Sequence, residues 1–174
     1  MTWSEIRRAT WFRWARELAL VGLIVVGVAA YQSWNHLGSG ETAPQFALSV
    51  LDGAELVSTA SLAGKPTLIY FWAPWCGVCG ATSDNVDDLR EAVGDEANVV
   101  SIALSYGSVD EVRSFVAQNE AEYSVLLGTE PVRSDYAVDA FPTFYILDSD
   151  GRVRSSIVGY TTTLGLRLRL WWAD

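Results

Sequence analysis

The feature that most constrains this chain is one short run, Phe71-Trp72-Ala73-Pro74-Trp75-Cys76-Gly77-Val78-Cys79, which holds both cysteines among 174 residues. The run opens on a strand-like stretch, Thr67 to Trp72, rich in β-branched and aromatic side chains. It closes on a helix-like stretch from about Cys76 to Val93. Cys76 therefore falls at or just before a helix N-terminus, where unpaired backbone N–H groups and the helix dipole stabilise a thiolate. Cys79 lies one turn in and is expected to sit underneath, shielded. A thiolate is the nucleophile of disulfide exchange, and a Cys-x-x-Cys pair can make and break a disulfide within one turn of chain. Half of the residues are apolar, so a core forms without staples. A disulfide closing so short a loop would in any case remove little chain entropy. The pair is read as chemistry, not as a staple.

The N-terminus reads as a membrane segment. Leu18 to Tyr31 carries no charge and no strongly polar side chain. Extended to Trp34 the stretch is 17 residues, about 25 Å as a helix against a bilayer core of about 30 Å. Trp11, Phe12 and Trp14 before it, and Tyr31 and Trp34 at its end, suit the two interfacial belts. Arg7, Arg8, Arg13 and Arg16 precede it, so the positive-inside rule keeps residues 1–17 in the cytoplasm and places the rest outside. The competing reading is a cleaved signal peptide, with Val28-Ala29-Ala30 as the cleavage site. The long arginine-bearing lead and the aromatic belts favour the uncleaved anchor.

Residues 35–45 read as a linker, with Gly38-Ser39-Gly40 and Ala43-Pro44 and no apolar periodicity. His36, the sole histidine, falls here, remote in sequence from the cysteines. The globular domain is expected over 46–174. Phe46 to Val50 and Glu55 to Ser58 form a hairpin across Asp52-Gly53, and Ser61-Leu62-Ala63 is a short connection. After the strand at 67–72 and the helix at 76–93 come a strand at Val99 to Ser105 and a helix from Val109 to about Asn119. That helix opens on a Ser108-x-x-Glu111 capping box. A short strand at Ser124 to Leu127 and a short helix at Pro131 to Ala137 follow. Phe144 to Leu147 and Arg152 to Val158 flank the turn Asp148-Ser149-Asp150-Gly151. The tail fits both a strand (Leu164, Leu166, Leu168, Leu170) and one helical face (Leu164, Leu168, Trp171, Trp172). Strands alternating with helices, closed by a hairpin, imply an α/β fold whose central mixed sheet carries helices on both faces.

Net charge is −9, and beyond the first 34 residues 8 basic residues face 19 acidic ones. An acidic body repels a phosphate backbone, which argues against nucleic acid as a partner.

The run FWAPWCGVC resembles the active-site strand-turn-helix of the thioredoxin superfamily. The N-terminal hairpin, AFPTFYILDSDGRV and the terminal GLRLRLWWAD narrow the resemblance to the membrane-anchored TlpA-like branch, with the copper-sensitivity suppressor D and DsbE-like proteins. It covers about residues 43 to 174. It implies a thioredoxin-like fold and makes the tail a helix. It makes Cys76 the exposed attacking cysteine, Cys79 the buried resolving one and Phe141-Pro142 a cis-proline loop beside the disulfide. The proline lacks an N–H, and the turn leaves the preceding backbone free to pair with an extended substrate chain. Trp75 would be a flat apolar lip for docking partners; otherwise it is a core aromatic. Two departures stand out. Many thioredoxins have a buried aspartate where this chain has Tyr70, and some cytochrome c maturation relatives have a glutamate where it has Thr82. No general base is named.

The resemblance implies a thiol-disulfide oxidoreductase at a bacterial cytoplasmic membrane, facing the periplasm or cell exterior. Its substrates would be protein or peptide disulfides, and its electron donor a transmembrane thiol carrier of the DsbD type. No cofactor is expected beyond the redox-active Cys76–Cys79 pair. Gly77-Val78 matches the signature of neither electron-flow direction, and the lack of a histidine between the cysteines tilts the reading toward a reductase rather than a disulfide-forming oxidase. A metal-binding module is the rival class, since Cys-x-x-Cys supplies half a zinc site or a two-coordinate copper(I) site. No further cysteine is available, so no metal is expected. An inert structural disulfide is a third class. A peroxidase would need threonine three residues before the cysteine, where Ala73 stands.

Overall fold

The structure, a computed structural model, describes residues 37–173 and, before them, Arg16, Glu17, Ala19, Leu20, Gly22 and Leu23, which are helical. The expected span 18–34 and His36 otherwise lie outside the described residues. Among the described residues no helix is long and apolar enough to cross a membrane.

The compact unit beginning at Leu37 contains β1 (Ala47–Ser49), β2 (Leu56–Ser58), β3 (Thr67–Trp72), α1 (Gly77–Val93), β4 (Asn98–Ala103), α2 (Val109–Gln118), β5 (Val125–Leu127), α3 (Glu130–Asp135), β6 (Thr143–Leu147), β7 (Val153–Val158) and α4 (Thr163–Trp171). The expected hairpin, strands and helices are all present, and the tail is helical. The Ser61-Leu62-Ala63 connection is a 3-10 turn over Thr59–Leu62, capped by Ser58. In the expected capping box Ser108 accepts from the Glu111 N–H, but the Glu111 carboxylate accepts from Gly107 N, one residue earlier than the box requires.

The central sheet runs β5-β4-β3-β6-β7. β3, β4 and β5 are parallel, and β6 and β7 add antiparallel strands. β3 is central and buried at all six positions, which is why it reads as an unbroken apolar run. Leu68, Tyr70 and Trp72 pack on one face with Val86 and Leu89 of α1, Phe115 of α2 and Leu166 of α4. Ile69 and Phe71 pack on the other with Phe46 and Leu48 of the hairpin and Val132 and Tyr136 at α3. The hairpin also shields the edge of β5, where the Leu51 N–H reaches the Val125 carbonyl at 2.8 Å.

One boundary differs from the sequence reading. Residues 40–43, assigned there to a linker, pair with the start of β7. Gly40 N donates to Val153 O at 2.7 Å, Ala43 N to Gly151 O at 2.9 Å, and Val153 N to Glu41 O at 2.8 Å. Ala43 is buried. This pairing runs mainly through backbone groups, with Arg152 Nη1 also donating to Gly40 O at 3.3 Å, so Gly, Ser and Pro composition hides it.

Inside the core the Trp72 indole N–H donates to Ser101 Oγ at 2.6 Å, and both residues are fully buried. Ser101→Ala leaves that N–H without its partner and is expected to destabilise the domain by about 1–3 kcal/mol, read from the urea midpoint.

Candidate active site

β3 ends at Trp72, and four residues later Cys76 caps α1. Its N–H donates to Ala73 O at 3.0 Å, closing the turn. Its sulfur takes the place an N-cap oxygen usually holds, accepting the Cys79 N–H at 3.2 Å. Cys76 and Cys79 form a disulfide. When the bond is reduced, a Cys76 thiolate keeps that N–H and the positive end of a 17-residue helix. The first turn of α1 carries no acidic residue to oppose it.

The sequence reading made Cys76 exposed and Cys79 buried. The order holds, but the contrast is smaller: Cys76 is 7% exposed and Cys79 is not exposed at all. Cys76 is largely covered because it belongs to the main core cluster.

Trp75 is 67% exposed, so it is no core aromatic. Its indole N–H donates to the Ser105 carbonyl at 2.9 Å, and its ring meets Phe141 edge-on at 5.6 Å between centroids. Ser105 lies in the left-handed region, φ 52°, which turns the end of β4 toward the indole. Sequence reasoning missed Ser105, because a backbone acceptor leaves no side-chain signature. Register explains Phe141: β3 and β6 pair antiparallel with Phe71 opposite Thr143, so Pro142 sits opposite Trp72 at the end of β3. The Phe141–Pro142 peptide bond is cis, Pro142 is buried and Phe141 is half-buried. Trp75, Phe141 and the exposed Val78 form an apolar rim.

Beneath the pair are hydroxyls. Tyr70 is fully buried and donates to the Cys79 carbonyl at 3.1 Å. Thr82 donates to the Val78 carbonyl at 2.7 Å. Tyr123 shares a hydrogen bond of 2.8 Å with Ser83. Burial pushes Tyr123 up to about 12, and burial, then Tyr123, raises Tyr70 well above the ordinary tyrosine range. Both stay protonated at neutral pH, and Tyr70 serves as a donor. Among the described residues no group of three His, Cys, Asp or Glu side chains is placed to hold a metal.

A profile described as the AhpC/TSA family matches residues 39–156, more than half of the chain. The chain belongs to the AhpC/TSA family, within the thioredoxin superfamily. It is 28% identical to a thioredoxin-like protein, YneN, of Bacillus subtilis, over 87% of this chain and 95% of that one. It is 29% identical to the thiol-disulfide oxidoreductase ResA of Bacillus cereus, over 79% of this chain and 82% of that one. A solved structure described as a thiol:disulfide interchange protein DsbE from Chlorobium tepidum superposes with a TM-score of 0.71 at 26% identity. That match covers 79% of this chain and 98% of the other.

The buried tyrosines set an alkaline limit. The folded value of Tyr123 lies above the unfolded value of about 10. The unfolded chain therefore loses its proton first, and the folded state binds more protons above pH 10. Stability from this source is intact below about pH 10 and falls as pH rises toward 12. Urea midpoints are expected to drop over that window, and tyrosinate absorbance at 295 nm to lag behind that of the unfolded chain.

Proposed function

We propose that this chain is a thiol-disulfide oxidoreductase working as a reductase of protein or peptide disulfides outside the cytoplasm. The observation that carries the reading is Cys76 sulfur at the cap of α1 with Cys79 one turn behind it, inside an apolar rim. The names of the relatives support the oxidoreductase part of it: ResA of Bacillus cereus is called a thiol-disulfide oxidoreductase.

The Cys76 thiolate attacks one sulfur of the substrate disulfide. A Cys76–substrate bond forms, the substrate disulfide breaks, and one substrate thiolate leaves and is protonated. Cys79 then attacks Cys76, forming Cys76–Cys79 and expelling the second substrate thiolate. Two electrons and two protons pass to the substrate. Tyr70 and Thr82 donate their hydrogens to carbonyls, so neither takes up the Cys79 proton. We assign that role to the first departing substrate thiolate, which takes the Cys79 proton, while solvent protonates the second. Trp75, Phe141 and Pro142 form the docking surface, and no cofactor enters the scheme.

Residues 18–34 are read as a single-pass anchor in a bacterial cytoplasmic membrane, with the catalytic domain on the periplasmic or outer side. A transmembrane thiol carrier of the DsbD type would return electrons to the oxidised pair. The support is the uncharged run from Leu18 to Tyr31 and the four arginines before it.

Cys76→Ser is expected to abolish insulin reduction, whereas Cys79→Ser is expected to accumulate mixed disulfides visible on non-reducing gels. Normal turnover by Cys76→Ser would refute the scheme. Trp75→Ala is expected to raise KM for a protein disulfide about tenfold while leaving reduction of a small aromatic disulfide nearly unchanged, because the indole supplies docking area and no chemistry.

A further inference from the structure

Helix α4 carries two apolar stripes. Leu166 and Leu170, with Ala173 just past the helix end, follow an i, i+4, i+7 spacing and are buried. Leu164, Leu168 and Trp171 repeat that spacing and are 66%, 44% and 73% exposed, with Trp172 beside them at 71%. The two series start two residues apart, about 200° around a helix, so the stripes lie on opposite sides. The domain core covers one. A helix apolar on both sides normally has a cover on both. The outward stripe edges a concavity of about 530 Å³ whose floor includes Pro66, Ala92 and Val93.

Charge and chain path say what the cover is. Residues 151–174 hold Arg152, Arg154, Arg167 and Arg169 and one acidic residue, Asp174, whereas residues 35–150 hold eighteen acidic and four basic residues. Arg167 and Arg169 are exposed beside the outward stripe, and Glu96 is the acid that lines the concavity. The chain also enters the domain next to this helix. Ser39 Oγ donates to the Arg154 carbonyl at 3.2 Å, and Arg154 Nε donates to the Ala173 carbonyl at 3.4 Å. Two residues separate Trp34 from Leu37, a tether of about 10 Å at full extension.

We infer that the outward face of α4 docks on the bilayer surface, with Leu164, Leu168, Trp171 and Trp172 in the interface and Arg167 and Arg169 on anionic lipid headgroups. This rests on the reading of residues 18–34 as a span. It goes beyond that reading by fixing how the domain faces. Pro66 immediately precedes β3 and Val93 ends α1, whereas Cys76 caps the other end of α1. The 17 residues of α1 put about 25 Å between the docked end and the disulfide. The site opens away from lipid, so a membrane-bound electron donor has to present its thiol on an extramembrane domain.

The test uses the full chain in vesicles with the Cys76–Cys79 pair kept oxidised. An environment-sensitive nitrobenzoxadiazole label is attached through Leu168→Cys or, as control, through Ala81→Cys near the disulfide. The label at 168 is expected to emit to the blue and to be quenched by brominated acyl chains in phosphatidylglycerol vesicles; the label at 81 is expected to do neither. Trp171→Ser with Trp172→Ser, or Arg167→Gln with Arg169→Gln, is expected to cut that quenching about tenfold while flotation persists. Flotation with the label at 168 as aqueous as that at 81 overturns docking and leaves the anchor standing. Chains that fail to float overturn both. Blue emission untouched by bromine means a second copy covers the face, and also overturns the inference.

Discussion

The rest of the structure depends on where the Cys76 sulfur is held. It caps α1 and accepts the Cys79 N–H, so one atom is both a structural cap and a candidate nucleophile. A capping oxygen stabilises a helix by meeting an unpaired N–H. A sulfur in that place is stabilised in return, as thiolate, by the same N–H and by the dipole. The position of that cap is set by β3, whose six buried residues leave it no freedom to slide. The strand is pinned on both faces, and the turn after it delivers Cys76 to the edge of the core.

At the two positions where the family resemblance would put an acid near Cys79, this chain has Tyr70 and Thr82. Tyr70 stacks on Phe144 and meets Tyr123 edge-on, and its hydroxyl is committed to a carbonyl. This gives an aromatic, hydrogen-bonded floor that rigidifies the helix start and contributes no proton acceptor. The proposed docking lip is separate from this floor: Trp75 meets Phe141 on loops that follow β3 and precede β6.

Much of this was legible in the residues. β3 and α1 could be placed because the apolar run and the cysteine spacing act locally. The tail could not be settled by pattern. Leu164, Leu166, Leu168 and Leu170 alternate because α4 is apolar on two opposite sides, and that mimics a strand. Only the family resemblance made it a helix. The pairing of residues 40–43 with β7 and the Ser105 carbonyl under Trp75 were invisible, since both work through backbone atoms. The coverage of Cys76 was underestimated because spacing places a sulfur at a helix end but does not say how much core surrounds it.

The reducing role is the central claim, and the reduction potential of the Cys76–Cys79 disulfide tests it most directly. The measurement is equilibration of the full chain with glutathione buffers. With one helix cap and no histidine or other cation between the cysteines, the thiolate is stabilised only moderately. A potential near about −270 mV is expected. A value near about −120 mV would mark a strongly stabilised dithiol and a disulfide-forming enzyme, reversing the direction assigned here.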